Sequence, residues 1–313
     1  MGKWLKKHFF TIILVIILIA GLCLVLYPTV SDWWNSRHMS QVVAAYQDAV
    51  NNTSEAELEE RLKEAEEYNA RLAETGIHGN MSDEELEQYY SILDITGTGI
   101  MGYVEIPSIG VYLPIYHGTD EGVLQIAVGH LQETSFPVGG ESTHAVLSGH
   151  RGLPSAKLFT DIDQLAETDI FTITVLNRTV TYMVDQIRIV LPTDTSLLQI
   201  YKGEDYATLV TCTPYGVNTH RLLIRGHRIE NVLEEVEITP DAKKYNNAIV
   251  ALAMGIPMLF LTLMILLAVY SRGSVNADAV LAGAREEYAE EARRKRAEEK
   301  DKPSIGGREN QDD

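Results

Sequence analysis

Cysteine is the scarcest chemistry in this chain. Only Cys23 and Cys212 occur among 313 residues. Cys23 falls inside a long apolar run, so the rest of the chain holds one thiol and cannot close an internal disulfide. Positive charge is also scarce: 26 Lys and Arg stand against 44 Asp and Glu, a formal net charge of −18. That deficit argues against binding nucleic acid or an anionic membrane surface, since both reward excess Lys and Arg. No histidines stand at zinc-ligand spacing with cysteine partners, which sets metal-assisted hydrolysis aside, and no cofactor is expected. The sequence shows no internal repeat.

What the chain does have is uncharged apolar length. Residues 9–27, FFTIILVIILIAGLCLVLY, carry no charge, and neither do residues 248–270. At about 1.5 Å per residue the first run spans roughly 28 Å, close to the thickness of a bilayer's hydrocarbon core. Lys3, Lys6 and Lys7 give it the basic start of a signal peptide. Bulky Val25, Leu26 and Tyr27 stand where cleavage needs small residues, and Leu22 precedes Cys23 where a lipoprotein site needs a small one. An uncleaved anchor is therefore expected, with Cys23 acting as a small apolar residue. Basic residues flank the outer ends of both runs, with Arg272, Arg285 and Arg293 to Arg296 after the second. Both termini are thus expected in the cytoplasm and the intervening segment outside, in the plasma membrane. A free thiol in an oxidising exterior calls for a reason, and catalysis is the usual one.

The intervening segment has two textures. Residues 36–74 read as helix, with Val42, Val43, Tyr46 and Val50 on one apolar face and a break at Asn51, Asn52 and Thr53. Ser54 with Glu57, and Ser82 with Glu85, read as capping boxes opening two further helices. From Gly97 the pattern changes to short β-branched runs: GIMGYVEIP, IGVYLPIYHG, THAVLSGH, DIFTITVLN, TVTYMVDQIRIVLP, ATLVTCTP and HRLLIRGHRI. Short strands at this density predict a mainly β fold, a closed barrel of about eight strands, with a helix or turn at 155–165. The expected organisation is a cytoplasmic start (1–8), an anchor (9–27), an exterior helical region (28–96) and a barrel (97–232). A linker (233–247), a second transmembrane helix (248–270) and a charged cytoplasmic tail (271–313), helical around 276–300, complete it.

Cys212 closes the run ATLVT and precedes Pro214, so a strand ending there presents its thiol at a barrel rim. Of the nine histidines, His150 follows the strand-like VLSG and opens a loop at a strand end. His220 precedes Arg221, so on a strand the two point to opposite faces, and a site holding Arg221 excludes His220. His117, His130 and His144 read as structural or surface groups. Arg221, Leu223 and Arg225 share one strand face. A thiol, an imidazole and a fixed positive charge are the parts that acyl transfer through a thioester needs.

These stretches resemble the class C, pilin-polymerising sortases. The matching segments are IMGYVEIPSIGVYLPIYHGT, VGHLQETSFPVGGESTHAVLSGHRGLPSAKLFTDID and TLVTCTPYGVNTHRLLIRGHR, in family order over most of 98–230. The TLxTC pattern with a downstream Arg is general to sortases. The wording CTPYGVNTHRLL and the second apolar span point to class C. The resemblance implies a sortase-type β-barrel on the outer face of a Gram-positive cell, with His150, Cys212 and Arg221 as its catalytic trio. It also implies the reaction: cleavage of an LPxTG-like sorting signal between Thr and Gly, then transfer to a lysine amine of a pilin subunit.

The alternatives within enzymes are a cell-wall-anchoring sortase or a thiol hydrolase of surface proteins; outside them stands a membrane-tethered scaffold without turnover. One departure from the family matters. Such enzymes carry a lid with an Asp-Pro-aromatic motif, and the corresponding ETGIHGNMSDEELEQYY has none. A loose cover from residues 76–82, using His78 or Met81, is expected instead. LPTDT at 191–195 looks like a sorting signal but lies in a strand-rich region and reads as structural.

Overall fold

The structure, a computed structural model, describes residues 2–76, 81–231, 255–256, 259–260, 262–263 and 280–296. The expected second span and the linker before it fall almost wholly outside these. The one described helix long and apolar enough to cross a membrane is N-terminal.

That helix, α1 (Gly2–Asn51), is a single element through Pro28, so the apolar run and the helix expected from residue 36 are continuous. Proline there removes one backbone donor, a loss that a long helix with intact neighbouring turns absorbs. At the end of the apolar run and just beyond it, Tyr27, Trp33 and Trp34 are exposed, the residue types that collect at membrane–water boundaries. The C-terminal turns dock on the barrel. Val43, Tyr46 and Val50 are buried, and the Tyr46 hydroxyl donates to the Met101 carbonyl at 2.7 Å while accepting from the Leu176 amide at 2.8 Å.

α2 (Glu55–Thr75) and α3 (Asp83–Ser91) follow. The capping box is complete only at α3, where Ser82 and Glu85 exchange both bonds. At α2 the Glu57 carboxylate is taken by Arg61 one turn on, so Ser54 caps without reciprocation. α3 is pinned by Tyr89, which is fully buried against His117, His130 and Phe136.

Eight strands close the barrel: β1 (Ile100–Ile106), β2 (Val111–His117), β3 (Val128–His130), β4 (Thr143–Ser148), β5 (Ile170–Val175), β6 (Arg178–Val190), β7 (Asp205–Thr213) and β8 (His220–Ile229). Their order around the wall is β1-β2-β3-β4-β7-β8-β6-β5, with β5 returning to β1. The pairs β2–β3 and β4–β7 are parallel. Seven strands coincide with the apolar runs; β3, with three residues, is too short to show a period. The interior is one apolar cluster including Ile115, Leu147, Phe171, Ile173, Leu209 and Ile224. A second, smaller cluster of Val146, Leu198, Val210 and Leu223 lies on the outer face of β4, β7 and β8. The C-terminal unit is described by a helix over 280–296, with a Lys295–Glu291 ion pair at 2.9 Å.

His130 and His144, read from sequence as structural or surface groups, are both fully buried and structural. His130 Nε2 lies 2.9 Å from the Ser135 carbonyl, and its Nδ1 faces the Tyr89 hydroxyl. His144 bridges the Gln199 carbonyl and the Thr208 hydroxyl. Burial lowers both pKa values, to about 3 for His130 and about 4 for His144. Both are therefore neutral in the fold, whereas in the unfolded chain each takes up a proton near pH 6.5. Stability is fully present above that value and falls as pH drops toward the folded values. The thermal midpoint is expected to decline by several degrees between pH 7.5 and 5, less so in His144→Gln. A midpoint flat over that range would show that neither imidazole is buried neutral.

Candidate active site

The strand registers bring Cys212 and Arg221 together at the barrel rim, and β4, which leads to His150, runs alongside β7. Cys212 on β7 stands directly opposite Arg221 on β8. Opposed residues on an antiparallel pair point to the same face, with Cβ atoms about 5 Å apart. On the other side of β7, the parallel pairing with β4 runs from Thr143 with Asp205 to Ser148 with Val210. That offset is 62 residues (210 − 148), the same as the separation of His150 from Cys212 (212 − 150). β4 thus runs toward the Cys212 end of β7, and His150 opens the loop that follows it.

Two bonds hold the end of β4 in place. The Gly149 amide donates to the Val210 carbonyl at 3.0 Å, and the Thr211 hydroxyl donates to the Gly149 carbonyl at 2.7 Å. Thr211 is buried and faces inward, opposite to Cys212. Its hydroxyl thereby fixes the strand end from which His150 departs. Sequence reasoning missed this role; the signal available was the polar residue next to the thiol in an otherwise apolar strand.

The site lies on the outer face of the wall, not in the barrel interior. Thr208, Val210 and Cys212 alternate outward along β7, as Arg221, Leu223 and Arg225 do along β8. Val210 and Leu223 belong to the outer apolar cluster, so the row is flanked by an apolar strip with Val146, Val190, Leu197 and Leu198. Leu197 and Leu198 come from the β6–β7 connection. His144 holds that connection down through the Gln199 carbonyl at 2.8 Å. Leu197 and Leu198 thus pack over that strip, and the β6–β7 connection lies against the outer face of the wall beside the Cys212–Arg221 pair.

LPTDT at 191–195, read from sequence as a structural part of a strand-rich region, lies in this connection between β6 and β7. All five residues are exposed, and the Asp194 carboxylate accepts from the Ser196 hydroxyl and amide, closing a turn. It starts just after Val190, which pairs with Arg221.

Cys212 is a free, half-buried thiol. Arg221 Nη1 donates to the His220 carbonyl at 3.2 Å and the Asn218 carbonyl at 3.4 Å. A guanidinium offers five donors, so these neutral contacts orient it without neutralising it. His220 faces away from this row, as its parity requires.

Residues 77–80, which include His78, lie outside the described residues. The adjoining Met81 is partly buried and lines a cavity with Tyr68, Arg71, Leu72 and Glu133. Ser135, two residues past Glu133, accepts from the His144 amide near the start of β4. His144 lies six residues from His150, about 20 Å along a strand. Met81 therefore packs near the far end of β4 from His150, and the rest of the cover expected from residues 76–82 falls mostly outside the described residues.

Residues 104–229 match the model of the sortase domain. Sortase C1 from Streptococcus agalactiae is 53% identical over 61% of this chain and 99% of that one, with a TM-score of 0.60. Sortase C from Streptococcus pneumoniae is 44% identical, covering 60% of this chain and 96% of that one, with a TM-score of 0.55. The Clostridium perfringens sortase C solved with the C-terminal cell wall sorting motif is 41% identical, covering 61% and 99%, with a TM-score of 0.55. The chain belongs to the class C sortases. It is a cysteine transpeptidase, and the substrates of its family are surface proteins carrying LPxTG-type signals. Beyond class C, sortase D of Bacillus subtilis is 29% identical over 60% of this chain and 92% of its own length.

Proposed function

We propose that this class C sortase polymerises pili, with Cys212 as nucleophile, His150 as acid–base and Arg221 as anchor for negative charge. The observation that carries the assignment is the pairing of Cys212 with Arg221 across β7 and β8, with β4 alongside β7 leading to His150. The Cys212 thiolate attacks the threonyl carbonyl of an LPxTG-like signal, and the carbonyl π pair moves onto oxygen. Arg221 donates to that oxyanion. As the tetrahedral intermediate collapses, the Thr–Gly C–N bond breaks and the His150 imidazolium protonates the leaving glycine amine. A pilin lysine, deprotonated by the now neutral His150, attacks the thioester. The C–S bond breaks and an isopeptide bond forms. One amide replaces another, so no external energy source is required.

The cell-facing arrangement belongs to the same reading: α1 anchors the enzyme in the plasma membrane and the barrel lies outside. The class C neighbours, one of them solved with a sorting motif, support pilin substrates over cell-wall anchoring. The test uses the full chain in detergent micelles or nanodiscs with a sorting-signal peptide. Mass spectrometry is expected to show a thioacyl adduct on Cys212, and addition of a lysine-bearing pilin to give an isopeptide-linked product. An adduct that only hydrolyses with pilin present would favour a thiol hydrolase. Absence of any adduct would reject the site.

A further inference from the structure

The loop that His150 opens is held from outside the barrel by the membrane-anchoring helix. Three side chains within two turns of α1 reach it. The Ser31 hydroxyl and Asn35 Nδ2 donate to the Ser155 carbonyl, at 3.1 and 2.6 Å, and the Lys157 amide donates to Asp32 Oδ1 at 2.8 Å. These residues lie only one to two turns beyond the apolar run.

From there a continuous packed path leads to His150. The Phe159 amide donates to the His150 carbonyl at 3.1 Å. The Phe159 ring, fully buried, lies flat against Gly149: a Cβ on Gly149 would stand 2.7 Å from its ring carbons, so glycine is required there. Between the two anchor points sits Leu158, a buried leucine at φ +41°. A non-glycine residue in the left-handed region is strained and persists only when its surroundings over-determine it. Here the flanking amides of Lys157 and Phe159 are tied, one to α1 and the other to His150. Beneath this segment a cavity of about 290 Å³, lined by Asp32, Asn35, Met39, Lys157, Leu158 and Asp161 among others, leaves room for the loop to relax once released.

We propose that Ser31, Asp32 and Asn35 are positioning residues for His150, so that the membrane anchor is a structural part of the active site. The inference rests on the proposed role of His150. A loop freed from α1 lets the 158–159 segment relax toward the cavity and moves the His150 carbonyl with it. Misplacement of an acid–base group by about an ångström costs on the order of 10²-fold in rate. A partial release that still leaves the Phe159 contact is expected to cost roughly 10-fold.

The test uses the full chain in nanodiscs, comparing wild type with Asp32→Ala/Asn35→Ala. The double variant is expected to lose roughly 10-fold in kcat with KM within about twofold, the split expected when an acid–base group is misplaced but binding is untouched. Its pH–rate profile should be displaced from that of the wild type. Asp32→Asn keeps an oxygen acceptor for the Lys157 amide and should retain activity, whereas Asn35→Asp sets a carboxylate against the Ser155 carbonyl and should match the alanine variant. Independently of turnover, amide hydrogen exchange across 151–161 should rise in the double variant while the β4 and β7 amides stay protected. Unchanged exchange in that loop overturns the proposal whether or not a sorting substrate is found. Raised exchange with wild-type kcat and pH profile overturns it while leaving the catalytic assignment intact. A wild type that forms no thioacyl adduct would instead fail the assignment itself.

Discussion

Cys212→Ala is expected to abolish transpeptidation, with a loss on the order of 10⁴-fold or more. The only other cysteine, Cys23, lies in the apolar run of α1, so no neighbour can substitute. The structural cost should be small. The thiol is half-buried on the outer face of β7 and contributes nothing to the interior cluster, so its truncation opens no core cavity. The thermal midpoint is expected within a few degrees of wild type. His150→Ala should be nearly as damaging, because a nucleophile and its acid–base partner act as a unit. For the same reason the double variant should be little worse than either single one. The measurement is isopeptide product by gel and mass spectrometry alongside thermal denaturation. Turnover by the Cys212 variant within tenfold of wild type would remove the thiol from the mechanism, and additive losses in the double variant would separate His150 from it.

The legibility of this site in the sequence follows the range of the interaction that builds each part. Cys212 and Arg221 are readable as a pair because a strand's period of two fixes which residues share a face, and a short turn joins β7 to β8. The exclusion of His220 follows from the same parity. The place of His150 is different. Its alignment with Cys212 depends on the parallel β4–β7 pairing, a contact 62 residues apart whose register no local pattern specifies; family likeness reached it, periodicity could not. The same limit hid β3: three residues show no alternation, and Val128–His130 becomes a strand only because β2 and β4 lie on either side. Along α1, composition divides the chain into an apolar span and a polar helix. The backbone makes no such division, since nothing between 28 and 35 satisfies its hydrogen bonds better than continued helix. The packing of the β6–β7 connection was equally hidden: Leu197 and Leu198 complete an outer apolar cluster and His144 hydrogen-bonds the backbone of that connection, both contacts between residues far apart in sequence.

Arg221→Lys is expected to fall far short of a conservative exchange, with kcat reduced by roughly 10²–10³-fold, about the cost of removing one oxyanion donor. The guanidinium already bonds two loop carbonyls through Nη1, which sets its plane and leaves its other donors for substrate. Lysine presents a single ammonium on a flexible stem. It can reach either the loop carbonyls or the developing oxyanion, but not both in fixed geometry. Its charge survives, so long-range attraction for substrate is kept and the loss isolates directional donation. The partition between kinetic constants identifies which state Arg221 serves. If it holds the oxyanion beside Cys212, kcat and kcat/KM fall together; if it only holds the bound signal peptide, KM rises and kcat stays. The position of Arg221 opposite Cys212, on the same face and one strand away, favours the first outcome. Steady-state kinetics with a sorting-signal peptide, together with burst measurement of thioacyl formation, separates the two. Wild-type values of both constants in Arg221→Lys would take the residue out of the active site altogether.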